Sequence, residues 1–121
     1  MNKPSIQVYY DFRNAMLSGT DSWTELISDD VKLKGPLAEV TGKDSFIAVN
    51  KPFFSSIQSS LAHKVVGSGQ TVITQITTTV KLPTGSDLTL DVSEWYTIAD
   101  GKIQSLVTYF DTHAFRSALG M

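Results

Sequence analysis

The stretch LTLDVSEWYTI, residues 88–98, alternates apolar and polar side chains in the way that is typical of a β-strand. One face of this strand would carry Leu88, Leu90, Val92, Tyr96 and Ile98. Glu94 lies in the same series, where the pattern asks for a core residue. An unpaired carboxylate is costly to bury, so we expect Glu94 either to be neutral, with a raised pKa, or to have a polar partner.

The chain around this strand predicts an antiparallel meander. Turn signals recur at GSGQ, PTGS and ADGK, residues 67–70, 83–86 and 99–102. The segments between them are rich in Thr, Val and Ile, which favour strands. The predicted strands cover about residues 60–66, 71–82, 87–99 and 102–110. In the second of them, period-2 alternation places on one face Val72, Thr74, Ile76, Thr78, Val80 and Leu82.

The first half of the chain predicts helices and a strand pair. Residues 4–18 have a polar stripe and a broad apolar face, which indicates a helix covered on more than one side. Ser22 and Glu25 resemble a capping box at the start of a short helix. The segment VKLKGP, residues 31–36, predicts a strand, with LAEV, residues 37–40, as its return partner.

Two further helices are expected. One begins near residues 41–44 and is kinked or ended by Pro52, since proline has no backbone N–H to donate. The other is short, with Asp111 or Thr112 as its N-cap and Gly120 beyond its end. Helices followed by a run of antiparallel strands predict an α+β fold, which we expect to be one domain over residues 1–121.

The composition excludes several classes of function. A net charge of -2 with 10 Lys and Arg argues against nucleic acid or an anionic membrane surface as partner. There is no cysteine, so no thiolate chemistry or disulfide is expected. The two histidines lack metal-ligand spacing, and we expect neither a metal nor a cofactor. The N-terminus does not resemble a signal peptide, so a cytoplasmic location is expected.

The motifs SDDVKLKGP, residues 28–36, and LDVSEWYTIADGKIQSLVTYFD, residues 90–111, resemble the nuclear transport factor 2-like superfamily. The resemblance is to its SnoaL-like and ketosteroid-isomerase-like group and covers nearly the whole chain. It implies a cone-shaped α+β barrel with N-terminal helices packed on a curved, mostly antiparallel sheet around an apolar pocket. Proteins with this fold include isomerases, aldol-type cyclases, dehydratases, epoxide hydrolases and non-catalytic binders, so the fold alone does not fix the function.

The resemblance carries over one of three catalytic positions. Ketosteroid isomerases have a general-base Asp just before a Pro, and that position is Gly35 here. Their oxyanion-binding Tyr on the first helix aligns with Phe12. Their second oxyanion donor, a protonated Asp, aligns with Glu94. We therefore expect an acid at Glu94 without the steroid-isomerase base.

The candidate catalytic residues are Glu94, His63 and Tyr10. His63 shares the predicted strand face of Leu61 and Val65, and a His–Glu pair would provide a general base with an orienting acid. A substitute oxyanion donor would be a tyrosine of the first helix on a different turn, Tyr9 or Tyr10, and Tyr10 is the candidate. The expected substrate-binding residues are Phe12, Trp23, Phe54, Tyr96, Leu106, Phe110 and His113.

Each candidate also has a structural alternative. Glu94 could reach solvent or pair with Arg13, the aromatic residues could be simple core, and Asp111 is most economically a helix cap. The sequence thus predicts a cofactor-free pocket enzyme for a small apolar carbonyl compound, by isomerisation, hydration or aldol-type chemistry. The alternative is a non-catalytic ligand-binding or dimerisation module. We expect a homodimer through the sheet face that carries Trp95.

Overall fold

The computed structural model describes residues 3–118, which form three α-helices, one 3-10 helix and six strands. In chain order they are α1 (Ser5–Leu17), the 3-10 helix (Ser22–Leu26), β1 (Ile27–Lys34), β2 (Glu39–Thr41), α2 (Lys43–Ser55), β3 (Ile57–Ser68), β4 (Thr71–Lys81), β5 (Asp87–Ala99), β6 (Lys102–Tyr109) and α3 (Thr112–Ala118). The helices and strands predicted from the sequence are all present, apart from the position of some ends.

The six strands form one sheet in the order β2-β1-β6-β5-β4-β3. All neighbours are antiparallel except β1 and β6, which are parallel. Strands β3 to β6 are the predicted meander, and each pairs with the next along the chain. The curved, mostly antiparallel sheet and the helices confirm the predicted α+β class.

The two faces of the sheet have the predicted division of residues. We call inner the face that carries Leu90, Val92, Glu94, Tyr96 and Ile98 on β5, and outer the opposite face. The predicted inner residues of β4 and its end, from Val72 to Leu82, are all buried. On the outer face Trp95 is 45% exposed. Most of the buried apolar surface therefore lies on the inner side, where it provides the main stabilisation of the fold.

Helix α1 packs on the inner face through an aromatic cluster. The ring of Phe12 meets the rings of Trp23, Phe54 and Tyr96 edge to face, at centroid distances of 6.1, 6.1 and 6.2 Å. Tyr9, one turn earlier, meets Tyr96 in the same way at 5.1 Å. Edge-to-face pairs of this kind add about 0.5–1.5 kcal/mol each to the burial of the rings. The broad apolar face predicted for this helix is thus explained by contacts on several sides.

The predicted capping box at Ser22 is wrong, and so is one of the two alternatives for Pro52, that it ends its helix. Ser22 makes no side-chain cap to the 3-10 helix, whose N-cap is Asp21. The hydroxyl of Ser22 lies 2.7 Å from the hydroxyl of Thr20 instead. Pro52 does not end α2, which continues to Ser55. Pro52 lies in the last turn, where the loss of one helical N–H removes a single hydrogen bond and little helix follows.

The last helix begins as predicted. The Asp111 carboxylate accepts a hydrogen bond from the backbone N–H of His113 at 2.8 Å, so Asp111 caps α3. The expected position of Gly120 beyond this helix lies outside the described residues. Among residues 3–118, the helices are too short or too polar to cross a lipid bilayer.

Candidate active site

A cavity of about 290 Å³ lies between the inner face of the sheet, α2, α3 and the turn that joins β1 to β2. Its lining is mainly apolar. The described lining residues with polar side chains are Asn50, Ser60, Thr78, Glu94 and Thr108. The apolar lining includes Leu33, Val49, Phe53, Phe54, Ile57, Ile76, Leu90, Val92, Leu106, Phe110 and Phe115. This is the shape and chemistry expected of a small-molecule pocket, in which a few polar groups orient an apolar ligand.

Glu94 is held at the cavity wall by two hydrogen bonds. The Thr74 hydroxyl donates to Oε1 at 2.8 Å, and the Tyr96 hydroxyl donates to Oε2 at 2.9 Å. Both donors lie on the inner face beside Glu94, Thr74 directly opposite on β4 and Tyr96 two residues along β5. The carboxyl group is therefore fixed in position while part of its surface faces the cavity.

Burial raises the pKa of the Glu94 carboxyl above its ordinary value. The hydrogen bonds from Thr74 and Tyr96, and then the positive charge of Arg13, act in the opposite direction but do not cancel the effect of burial. None of the ion pairs found among the described residues includes Glu94. The salt bridge to Arg13 that the sequence left open is thus not formed, and burial shifts the balance toward the neutral form of Glu94 relative to an exposed glutamate.

Tyr9 and Tyr96, which lie in the core and not in the cavity lining, also stay neutral. Burial, and then the nearby Glu94 charge, raise the pKa of Tyr9 to about 12, although Arg13 lowers it. The same two causes raise the pKa of Tyr96 well above its ordinary value. Among the described residues the buried Tyr9 hydroxyl has no hydrogen-bond partner. Tyr96, being neutral, keeps the proton that it donates to Glu94.

Arg13 is a buried cation with a structural partner. It is only 8% exposed, and its Nη2 donates to the backbone carbonyl of Ser60 on β3 at 3.0 Å. This bond ties α1 to the edge strand of the sheet. The positive charge thereby remains close to Glu94 without being neutralised by it.

Gly35 is glycine because the space beside it is occupied. A Cβ atom at this position would lie 2.5 Å from Oγ1 of Thr108, far inside van der Waals contact. Thr108 lies on β6 directly opposite Glu94 and also lines the cavity. The position that carries the base in ketosteroid isomerases is thus closed here by a threonine hydroxyl.

The structure does not bring His63 or Tyr10 to the cavity. A bulge between Ala62 and Lys64 shifts the register of β3, so Leu61 is 62% exposed while Val65 packs on the core. His63, at the bulge, is exposed on the other side from the cavity. The expected His–Glu pair is therefore not formed. The prediction failed because the sequence pattern contains no signal for the bulge.

His63 and Tyr10 have other neighbours instead. The Nε2 of His63 lies 2.7 Å from the Thr77 hydroxyl, which in turn donates to Asp91 at 2.7 Å. Tyr10 is 39% exposed on α1, and its ring packs edge to face on Tyr9 at 5.3 Å. Neither side chain is in contact with Glu94.

The predicted substrate-binding residues divide between cavity and core. Phe54, Leu106 and Phe110 line the cavity. Phe12, Trp23 and Tyr96 lie in the buried core behind it, and His113 is exposed on α3. Tyr96 acts on the cavity only through its hydrogen bond to Glu94.

Four polar lining residues were not among the predicted site residues: Asn50, Ser60, Thr78 and Thr108. The alternation of β4 already placed Thr78 on the inner face, so it could have been found from the sequence. Asn50 is buried, and its side-chain amide donates to the Phe46 carbonyl at 2.9 Å. Within residues 3–118 no three His, Cys, Asp or Glu side chains come together as a metal site.

Comparison with known proteins gives one family and many similar structures. The family model for the SnoaL-like domain matches residues 7–106. A candidate isomerase from Bacillus subtilis is 23% identical, with a TM-score of 0.81, 96% of this chain covered and 92% of the other. A candidate SnoaL-like polyketide cyclase from Jannaschia sp. CCS1 is 18% identical, with a TM-score of 0.80 and coverage of 94% and 90%.

A third structure, from Kribbella flavida, has a TM-score of 0.83 at 21% identity and covers 94% of this chain and 92% of the other. At these identities the similarity establishes the shared fold. No curated protein matches the sequence.

Proposed function

Because the chain belongs to the SnoaL-like family, we propose that its cavity binds a small apolar carbonyl compound and supports cofactor-free acid–base chemistry on it. Glu94 is the acid. The observation that carries this proposal is a carboxyl group with a raised pKa, held by Thr74 and Tyr96 at the wall of an otherwise apolar cavity. The fold is also that of a candidate isomerase and a candidate polyketide cyclase.

The chemical role of Glu94 follows from its neutral form. A protonated carboxyl group donates a hydrogen bond to the carbonyl oxygen of the bound compound. As an enolate-like transition state forms, negative charge grows on that oxygen, the hydrogen bond strengthens, and the carboxyl proton passes to the oxygen. Thr74 and Tyr96 hold the carboxyl group in place beforehand, so it does not have to reorganise during the reaction.

The cavity has few side chains that can exchange a proton with a ligand. Glu94 is the one titratable side chain among the described lining residues. Because Glu94 in its neutral form gives its proton to the carbonyl oxygen, the proton taken from a carbon of the bound compound passes to water. Water then returns a proton to carbon, and the enol hydroxyl returns its proton to Glu94. Isomerisation and hydration are both compatible with such a single-acid site.

A non-catalytic ligand-binding protein is the second candidate. The observations that favour it are the closed position at Gly35 and the location of His63 and Tyr10 away from the cavity. In this alternative Glu94 only orients the ligand through a hydrogen bond.

The variant Glu94→Gln separates the two candidates, because the amide keeps a hydrogen-bond donor but cannot transfer a proton. Turnover of a panel of enones, lactones and epoxides is measured beside ligand affinity. We expect roughly a 100-fold to 10,000-fold loss of kcat with affinity retained. Glu25→Gln, at an exposed position, is the matched control. If the wild type turns over none of these compounds, the enzyme proposal is wrong and the binder is favoured.

We also propose that the chain forms a homodimer through the outer face. In the strand register, four apolar residues form one continuous row across the sheet: Val66, Ile73, Trp95 and Val107. Val66 and Trp95 are 54% and 45% exposed. An apolar row on a sheet face can pack on the same row of a second copy about a twofold axis, which is the commonest symmetry of soluble oligomers. A monomeric mass at micromolar concentration by light scattering would contradict this proposal.

A further inference from the structure

The sheet side of the cavity consists of successive rows of side chains that face each other on neighbouring strands. The first row contains Glu94 and is polar. The second contains Ile76 opposite Val92 and is apolar. The third contains Ser60 opposite Thr78. Polar groups therefore return on the far side of an apolar strip.

Ser60 and Thr78 form a hydroxyl pair at the cavity wall. Their side-chain oxygens are 3.0 Å apart, so one hydroxyl hydrogen bonds to the other oxygen. Among residues 3–118, neither hydroxyl has another side-chain or backbone partner. One hydrogen and several lone pairs thus remain for a further bond. Thr78 is only 3% exposed and its cavity neighbours include Ile57 and Leu90, so a ligand oxygen is the partner that this location favours.

The pair is fixed before any ligand binds. Ser60 lies on the edge strand, whose outer side presents backbone N–H and C=O groups without a strand partner. Its own carbonyl accepts the hydrogen bond from the buried Arg13, which anchors the strand at this residue. Binding at the pair therefore requires little ordering of the protein.

The distance between the two polar rows sets the length of the ligand. Thr74, the strand partner of Glu94, and Thr78 are on the same face of β4. Their four-residue separation corresponds to about 13 Å at roughly 3.3 Å per residue. The two rows are bridged by apolar side chains along the sheet. A compact ligand with one polar group would reach only one of them.

We propose that the ligand of this cavity is an elongated, uncharged and mostly apolar molecule with an oxygen function at each end. Its carbonyl oxygen lies at Glu94, and a hydroxyl or second carbonyl oxygen bonds to the Ser60–Thr78 pair. The inference rests on the proposed function for the Glu94 end. An acidic group is disfavoured because the described lining contains no Lys, Arg or His to neutralise it.

Three probes test the two ends separately: ethylnaphthalene, acetylnaphthalene, and a hydroxy-acetylnaphthalene whose hydroxyl is at the opposite end of the ring system. Their Kd values are measured by calorimetry with the wild type and with the double variant Ser60→Ala/Thr78→Val. The variant removes both hydroxyls, so neither is left without a partner. The matched control is Thr79→Val/Thr89→Val, which removes a hydroxyl pair of similar geometry, 2.9 Å apart, from the outer face.

The wild type is expected to bind the hydroxy probe about fivefold more tightly than acetylnaphthalene, the value of one hydrogen bond. In Ser60→Ala/Thr78→Val this preference disappears while acetylnaphthalene affinity is unchanged, and the outer-face control behaves as the wild type. Equal affinity of the two probes for the wild type, or a preference that survives in the double variant, overturns the inference.

The Glu94 end has its own readout. If ethylnaphthalene binds as tightly as acetylnaphthalene, the proposed function fails at Glu94 whatever the hydroxyl preference. If none of the probes binds, both proposals are overturned. Thermal unfolding of each variant by circular dichroism shows whether its fold is intact.

Discussion

The two faces of β5 show two ways in which a sheet uses polar residues. On the outer face, Asp91 accepts a hydrogen bond from Thr77, and Thr89 pairs with Thr79. These are exposed cross-strand contacts, and water can replace them at little cost. On the inner face, Glu94 has both oxygens bonded to protein hydroxyls beside a cavity. The same alternation thus produces a solvated face and a face on which each polar group needs a specific partner.

This difference assigns different consequences to similar substitutions. A change on the inner face alters buried contacts, a cavity or the charge state of Glu94. A change on the outer face is expected to leave the fold intact and to alter association with a second copy. Neighbouring residues on one strand therefore make matched pairs for experiment.

The largest effect is expected from Ile98→Ala. Ile98 is 2% exposed in the main core, and removing its side chain should lower the free energy of unfolding by about 2–5 kcal/mol. Thr97→Ala, at the adjacent exposed position, should change it by less than about 1 kcal/mol. Urea unfolding measures both. Equal losses would show that the two faces do not differ in burial as described.

A somewhat smaller effect is expected from Gly35→Ala. The new methyl group meets the Thr108 hydroxyl at 2.5 Å, and such overpacking costs about 1–3 kcal/mol. In Gly35→Ala/Thr108→Ala the obstructing hydroxyl is absent, and most of the loss should be recovered. Urea unfolding of both variants and of Thr108→Ala completes a double-mutant cycle. Additive losses would contradict the close contact.

Much of this arrangement could be predicted from the sequence, because it depends on periodicity. The alternation in residues 71–82 and 88–98 placed Thr78, Glu94 and Trp95 on the correct faces. The turn signals separated the strands for the same reason, since they depend on a few local residue types. Alternation and turn residues are therefore sufficient to predict the structure where a regular strand or a short turn continues the local pattern.

The composition of the site was less predictable, because it depends on contacts between distant segments. The bulge between Ala62 and Lys64 decides on which side of the sheet His63 lies, and no residue type in the sequence predicts that bulge. The aromatic residues Phe12 and Trp23 could have belonged to cavity or core, and only the packing of α1 on the sheet decides between them. The space that Thr108 occupies beside Gly35 is likewise visible only in three dimensions.

A pH-dependent effect is expected from Glu94→Gln. The folded pKa of Glu94 is raised above its ordinary value near 4.5, so the folded chain binds more protons than the unfolded chain between these two pH values. The stability of the wild type therefore falls as pH rises through this window, and the variant lacks that contribution. The stability of Glu94→Gln relative to the wild type should rise with pH and then become constant.

Urea unfolding at a series of pH values measures this difference. Glu25→Gln, which removes an exposed carboxylate, controls for the change in net charge. A difference between Glu94→Gln and the wild type that stays constant or falls with pH would show that burial does not favour the neutral acid.

The smallest effect on folding is expected from Trp95→Ser on the outer face. Trp95 is 45% exposed, so the free energy of unfolding of the isolated chain should change by less than about 1 kcal/mol. If the row of Val66, Ile73, Trp95 and Val107 packs on a second copy, loss of this central ring should weaken the dimer by about 2 kcal/mol or more, roughly 30-fold. Sedimentation over a concentration series measures the dissociation constant, with Thr89→Ala, outside the row, as the control. A dimer that persists unchanged in Trp95→Ser would place the contact elsewhere. Dissociation of the dimer, with an unaltered thermal unfolding curve of the monomer, would show that the outer face serves association while the inner face maintains the fold.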